Sequence, residues 1–342
     1  MKPLHTNKPF RVLVVTGVYP TERRPHAGTF IKSQVDSLIE AGLEVEVLHP
    51  QAGPSLLRYY SATIQVFLKT LTGRYDVVHG QYGLWCLTAR LQWRTPVVAS
   101  FLGDDILGTV TVEGNYSIKG KIVAALSRRL CHMVEAVIVK SAQMQEKARA
   151  PQHKSWIIPN GVNFAQFRPM SRQEARTALG WDQNRLYVLF SNNPAIPVKN
   201  FALAKAAVEH LQTRGIEAEL VVATGLPHAT IVQYMNASNA LLLSSIAEGS
   251  PNVVKEAMAC NLPVISTNVG DVAEVIGRTQ GCAVCTNTPK GLADGLEVAL
   301  RQIERTTGRQ DISHLDTVAV ARRVIAVYEY ATHKKVEIAE TT

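Results

Sequence analysis

Short apolar runs rich in β-branched residues recur along the first half of the chain at Arg11–Thr16, Glu44–His49, Asp76–His79, Pro96–Phe101, Ala136–Lys140 and Ser155–Pro159, with helix-like segments between them. Strands that alternate with helices predict a parallel sheet. Turn residues fall where that reading needs them: Gly42 follows a helix that begins near Thr29, and Pro96 opens a strand. The pattern restarts after Ser171, with runs at Leu186–Ser191, Ala218–Ala223, Ala240–Ser245, Pro263–Thr267 and Cys282–Thr286. The expected fold class is α/β, with two Rossmann-like, doubly wound parallel-sheet domains facing each other across a cleft. The polar stretch Asn163–Arg185, carrying Pro169 and Gly180, is the natural connection, so the domains are expected at 1–170 and 171–317. A last helix, roughly Val318 to Thr332, follows after the second half has used its strands and is expected to pack back on the first domain. The residues from His333 onward read as a polar tail. Open α/β sheets bind ligands outside the carboxyl ends of their strands, and chemistry is sought there.

Composition supports two cores. At 342 residues the chain is longer than one core usually serves, and 46% hydrophobic against 19% charged residues leaves ample apolar surface to bury. The polar start Met1–Pro9 lacks the apolar stretch of a signal peptide, and no apolar run approaches the ~20 residues that span a bilayer. Five cysteines, an odd number scattered along the chain, fit reduced thiols; Cys282 and Cys285 read as strand filler, having no second pair at zinc spacing. A cytoplasmic location is expected. The formal charge of +8 attracts phosphates, anionic membranes or nucleic acid alike. No arginine-rich helix or aromatic-basic motif is present, and nucleic acid is the least supported of the three.

After the run Ala240–Ser245 the chain reads Ile246-Ala247-Glu248-Gly249-Ser250-Pro251. Ser250 followed by Pro251 has the form of a helix N-cap with proline at the first helical position. The amides of Asn252, Val253 and Val254 then lack intrahelical partners, and with the helix dipole they suit a phosphate or diphosphate. Glu248 precedes this helix and Glu256 lies about a turn and a half inside it. They therefore cannot form a paired acid and base on one face. A carboxylate accepts two hydroxyl hydrogen bonds, so one glutamate on a ribose and one on a sugar would describe a nucleotide sugar, while spacing alone allows Glu256 to be a simple exposed helical residue.

The run from Glu248 to Asp271 closely resembles the signature of the family 4 glycosyltransferases of group 1, retaining enzymes of GT-B fold, in which two glutamates stand eight positions apart. The resemblance implies that Glu248 contacts the donor sugar, that the segment Gly249, Ser250, Pro251, Asn252 and Val253 lines the phosphates through the amides it has, and that Glu256 binds the ribose. It continues in Ile157–Asn163 with Phe167-Arg168-Pro169, which resembles the inter-domain segment, and in Thr16–Pro20 with Gly28-Thr29-Phe30, which resembles the first phosphate-facing loop. Lys199, in Pro197-Val198-Lys199-Asn200, matches the lysine that neutralises the donor diphosphate, with Asn193 in the loop before it. Independently of family, the eleven residues Gly17–Ala27 are too long and proline-rich for the tight turn of a dinucleotide dehydrogenase.

Two positions depart from the family pattern. Ser191–Ile196 lacks the arginine that commonly precedes the lysine, and Leu102 stands where a histidine is expected in Ser100–Asp105, while Asp105 matches the aspartate. His79 is the nearest histidine that could substitute, its alternative being a strand-capping role; Arg23, Arg24 and Lys255 are the cations available to replace the arginine. The expected catalytic set is Glu248, Lys199, Asp105 and His79. Neither a metal nor a cofactor is expected, because amides, a helix dipole and a lysine can stabilise a departing diphosphate.

The sequence therefore implies a retaining, metal-independent hexosyltransferase that moves a sugar from a nucleoside diphosphate donor to a saccharide or lipid-linked acceptor, as in surface polysaccharide synthesis. Leu102 and the missing arginine leave open a non-catalytic GT-B partner of a glycosylation complex; a sugar-nucleotide epimerase is a second alternative. Between Leu56 and Thr72, Leu57, Tyr60, Ile64, Phe67, Leu68 and Leu71 recur at helical spacing beside Arg58, Lys69 and Arg74. The plain reading is a core-facing helix, and the sharper one is peripheral contact with an anionic membrane at its inner face.

Overall fold

The computed structural model describes residues 9–25, 27–51, 55–109, 116–301 and 305–338. The sequence reading of the extreme N-terminus and of the last four residues lies outside them. The chain divides into two compact units, one drawn from Met1–Gly108, Lys121–Ile158 and Val320–Thr342, the other from Thr109–Gly120 and Pro159–Ala319. Chain polarity placed a boundary near Met170. The segment after Ile158 is instead anchored in the second unit, where Val162 and Phe167 are buried beside Leu241 and Met258 and the Arg309 guanidinium donates to the carbonyls of Phe164 and Phe167.

In the first unit six strands, β1 (Arg11–Thr16), β2 (Glu44–Leu48), β3 (Val77–Gln81), β4 (Val97–Ser100), β5 (Ala136–Val139) and β6 (Ser155–Ile157), form one sheet in the order β2-β1-β3-β4-β5-β6. Every pairing is parallel. A parallel sheet is covered on both faces, which explains why β3, β4 and β5 are buried at every position and why their sequences are runs rather than alternations. The strand order reverses between β1 and β3, the switch point at which such sheets leave a crevice.

In the second unit β7 (Leu186–Phe190), β8 (Ala218–Val222), β9 (Ala240–Leu243), β10 (Val264–Thr267) and β11 (Ala283–Cys285) pair in parallel in the order β11-β10-β9-β7-β8. Loops after β7, β9 and β10 therefore emerge side by side. That adjacency brings together residues more than forty positions apart in sequence, such as Lys199 and Glu248.

The final helix, Thr317–Thr332, contributes Val320, Val324, Val327 and Tyr328 to a core shared with Val12, Val14, Val77 and Val98 of the first sheet. Its anchor is polar. The Tyr328 hydroxyl lies 2.6 Å from Nδ1 of His79, whose Nε2 lies 2.7 Å from Ser100 Oγ, and all three side chains are buried. Burial first, and the Lys140 charge second, push His79 down to about 3, so the ring is neutral.

The helix Ser55–Leu71 overturns its plain reading. Ala62, Val66 and Thr70 are its buried positions, whereas Leu57, Tyr60, Ile64, Leu68 and Leu71 face solvent. The apolar spacing seen in the sequence is an exposed stripe. Among the described residues no helix is long and apolar enough to cross a membrane.

The anchor predicts two outcomes. Tyr328→Phe leaves a buried histidine nitrogen unpaired and should lower stability by about 1–3 kcal/mol in denaturant titrations. Because unfolded histidine takes up a proton near 6.5 while folded His79 resists it down to about 3, wild-type stability should fall as pH drops below about 6.5; His79→Gln should flatten that slope.

Candidate functional site

The signature helix spans Asn252–Ala259 and begins one residue later than expected. Pro251 occupies the cap position, and no side chain caps the helix. Ser250 is not the cap. Its hydroxyl donates to Asp271 Oδ2 at 2.6 Å and accepts from Lys255 Nζ. The amide of Val254 bonds back to the Pro251 carbonyl at 3.3 Å, while those of Asn252 and Val253 have no partner among the described residues. Two donors and the positive end of the helix are thus left open.

Lys255 and Asp271 are both almost fully buried, with Nζ 3.6 Å from Oδ2. Burial pulls the ammonium down from its ordinary range and the Asp271 charge opposes that pull. Lys255 is consequently committed to the loop and cannot substitute for a missing phosphate-facing arginine. Gly270, next to this pair, has φ +56°, and a Cβ there would meet the Gly249 carbonyl oxygen at 2.7 Å. The loop after β10 is the floor on which Glu248 and Gly249 rest.

Glu248 is held from two sides. Its Oε1 accepts from Lys199 Nζ at 2.6 Å and from Ser245 Oγ at 2.7 Å, and the Lys199–Glu248 pair retains only 20% and 13% side-chain exposure. Lys199 ends a 3-10 turn, Pro197–Lys199, that is fastened to the neighbouring loop by Ser244 Oγ donating to the Lys199 carbonyl and by the Ile246 amide donating to Val198. An ammonium and a carboxylate are therefore fixed at the joined carboxyl ends of β7 and β9.

Glu256 differs from an ordinary surface glutamate. It is half-buried, its carboxylate accepts no hydrogen bond from the described residues, and burial pushes it up to about 7 against the opposing Lys255 charge. An unpartnered, desolvated carboxylate is the state that a pair of ligand hydroxyls would relieve. Asn252 Oδ1 accepts from Asn160, which ties the segment after β6 to the helix start. Asn193 is exposed and its side chain closes a local turn on the Ala195 amide.

Sequence reasoning missed two participants. Asp271 is the buried counter-ion of the signature helix. Asn192, beside Asn193, has a buried side-chain nitrogen with no partner among the described residues, a donor left over in the loop where the arginine is absent. The only sequence signal for either was position after a strand end.

In the first unit, Gly28 has φ +69°, and a Cβ there would meet the Val18 carbonyl oxygen at 2.6 Å, so it packs the first loop closely. Asp105 is fully buried. It accepts from the amides of Leu102, Gly103 and Gly83, and burial pushes it up to about 6 against those bonds. Its place is structural. His79 likewise has both nitrogens occupied inside the core, which corrects its proposed substitution for the histidine replaced by Leu102. Leu102 itself packs on the core that contains the final helix.

The fold is that of paired parallel-sheet α/β units, and comparison identifies the family. The family model described as glycosyl transferases group 1 matches residues 197–302, and that described as a glycosyl transferase 4-like domain matches residues 9–161. The chain belongs to the group 1, family 4 type of glycosyltransferases and has their GT-B fold. It is 23% identical to TuaC of Bacillus subtilis, a candidate teichuronic acid biosynthesis glycosyltransferase, over 84% of this chain and 88% of that one. Identity to the D-inositol 3-phosphate glycosyltransferase of Pseudarthrobacter chlorophenolicus is 24%, over 73% and 76%. Among solved structures, sucrose-phosphate synthase of Thermosynechococcus elongatus superposes with a TM-score of 0.73 at 18% identity, covering 94% of this chain and 98% of that one. The Anabaena protein HepE in complex with UDP gives 0.64 at 17%, over 93% and 98%. These findings favour glycosyl transfer over the non-catalytic and epimerase readings.

The buried pair predicts asymmetric mutational effects. Lys255→Ala strands an uncompensated Asp271 and should cost about 3–5 kcal/mol by chemical denaturation, with the Lys255→Ala/Asp271→Ala double variant losing less than the sum of the singles. Additive losses would show that the two groups do not interact.

Proposed function

We propose that the chain is a retaining glycosyltransferase that moves a sugar from a nucleoside diphosphate donor to a saccharide or lipid-linked acceptor without a divalent metal. The observation that carries this reading is the Lys199–Glu248 pair beside a helix start with open amides, followed by the unpartnered Glu256. In transfer, the bond between the sugar C1 and the diphosphate oxygen breaks and a bond from C1 to the acceptor oxygen forms on the same face. The acceptor proton passes to the departing diphosphate. Lys199 and the amides of Asn252 and Val253 stabilise the developing charge, Glu248 orients the sugar, and Glu256 accepts from the ribose hydroxyls. The UDP held by the Anabaena relative supports a nucleoside diphosphate ligand, and the description of TuaC supports a polysaccharide product.

A panel of nucleotide sugars, scored for thermal protection and turnover with and without a chelator, tests the reading. One donor should bind, turnover should survive chelation, and Lys199→Ala should lower kcat about 10²- to 10³-fold, the loss typical of a transition-state charge partner. Binding to no donor would overturn it. The ionised carboxylate is the form that accepts two hydroxyl bonds, so the nucleotide Kd should rise as pH falls below about 7, and Glu256→Gln should remove that dependence.

The exposed stripe supports a lipid-linked acceptor. Leu56, Leu57, Tyr60, Ile64 and Leu68 lie open on one helix, Trp93 is exposed beside Phe67, and the chain carries an excess of basic residues. Such a surface suits an anionic membrane, with apolar side chains inserted and cations at the headgroups. Vesicles of phosphatidylglycerol should sediment the protein where phosphatidylcholine vesicles do not, and Leu57→Gln with Leu68→Gln should abolish the effect; equal sedimentation with both lipids would refute it.

A further inference from the structure

One residue in the first unit holds a backbone conformation that its type rarely adopts. Tyr82, directly after β3, has φ 79° and ψ 136°. A Cβ makes that region costly, and a glycine would occupy it freely. The surroundings enforce it. The Tyr82 amide donates to the Ser100 carbonyl at 2.9 Å, and its own carbonyl accepts from the amides of Trp85 and Cys86 at 2.9 Å each. Gly83 follows, wedged so tightly that a Cβ would meet Ser127 Oγ at 2.3 Å, and its amide donates to buried Asp105.

Packing does not by itself account for a tyrosine there. Its ring covers the edge of a core that includes Trp85 and Phe101, but the side chain remains half-exposed. The phenol hydrogen-bonds the exposed Asp104 carboxylate, with the Tyr59 hydroxyl nearby. Burial first, and the charges of Asp104 and Asp105 after it, push the phenol well above its ordinary value; it remains a protonated donor throughout the physiological range. Tyr59 in turn packs tilted against Trp85 with ring centroids 4.4 Å apart, and Trp85 lies over Gly17, the residue after β1. Tyr82 therefore stands at the switch point of the sheet, between the carboxyl ends of β1 and β4.

An aromatic ring whose hydroxyl is held by an exposed carboxylate sets a flat apolar face beside polar oxygens, the chemistry that recognises a pyranose, whose C–H face is apolar and whose rim is hydroxylated. We propose that Tyr82 and Asp104 form an acceptor subsite for a hexose ring, and that Asp105 is a positioning residue that holds the strained turn in place. The proposal rests on the glycosyltransferase reading above. It explains why a strained, half-exposed tyrosine occupies a place where glycine would be easier, and it assigns Asp105 a role through its three amide bonds.

Transfer is measured from the donor that binds in the panel to p-nitrophenyl hexosides as acceptor probes. Tyr82→Phe, which keeps the ring and removes the donor, should raise the acceptor KM at least tenfold, with a smaller change in kcat and with the nucleotide Kd and the unfolding temperature as in wild type. Asp104→Asn, at an exposed position, should raise the acceptor KM in the same direction. A wild-type acceptor KM in both variants, or a wild-type enzyme that binds nucleotide but shows no saturation by any hexoside, overturns the subsite and leaves the donor reading intact. A wild-type protein that binds no nucleotide overturns both.

Discussion

A buried ammonium, a buried carboxylate and one hydroxyl between them hold the loop in front of the signature helix in shape. Lys255 projects from the signature helix, Asp271 from the loop after β10, and Ser250 bridges them from the turn in front of the helix. Because Ser250 is engaged there, it cannot cap the helix, and the amides of Asn252 and Val253 remain open. The desolvation of this pair is tolerable only while each partner is present, so the three elements stand or fall together. Gly270, forced to positive φ beneath Gly249, is a geometric consequence of the same closure.

The parallel sheet supplies the remaining constraint. In the order β11-β10-β9-β7-β8 the ends of β10, β9 and β7 are neighbours, so three loops distant in sequence share hydrogen bonds. Thr267 Oγ1 donates to the Ser245 carbonyl, Ser244 donates to Lys199, and Ser245 donates to Glu248. Small hydroxyl residues at strand ends carry these links because they reach backbone carbonyls without filling the space above the sheet. The Lys199–Glu248 pair is the outcome of that lacing rather than of either loop alone.

The strands were legible in the sequence because parallel strands buried on both faces are written as short apolar runs, and all eleven runs became strands. The helix Ser55–Leu71 was misread because periodicity reports that an apolar face exists, not which way it turns; Ala62, Val66 and Tyr59 make the core contact, while Leu57, Tyr60, Ile64, Leu68 and Leu71 stay outside. Among the expected site residues, Glu248 and Lys199 stand together because their strand ends are neighbours, a pairing that neither motif announces by itself. Ser250 was misassigned because a serine before a proline satisfies the capping pattern equally well when its hydroxyl is used elsewhere. That use depended on Asp271, twenty-one positions away and invisible to local spacing.

The same distinction separates structural from chemical polar residues across the molecule. His79, Asp105 and Lys255 are types that a sequence marks as reactive, yet each is buried and engaged by the protein itself: His79 by Tyr328 and Ser100, Asp105 by three amides, Lys255 by Ser250 and the Asp271 charge. Glu256 and Asn192 show the opposite condition, polar groups withdrawn from water with no protein partner among the described residues. Leaving such groups unpaired carries a cost, which a ligand that supplied the missing bonds would recover. Residue type does not distinguish the two conditions; the state of the hydrogen bonds does.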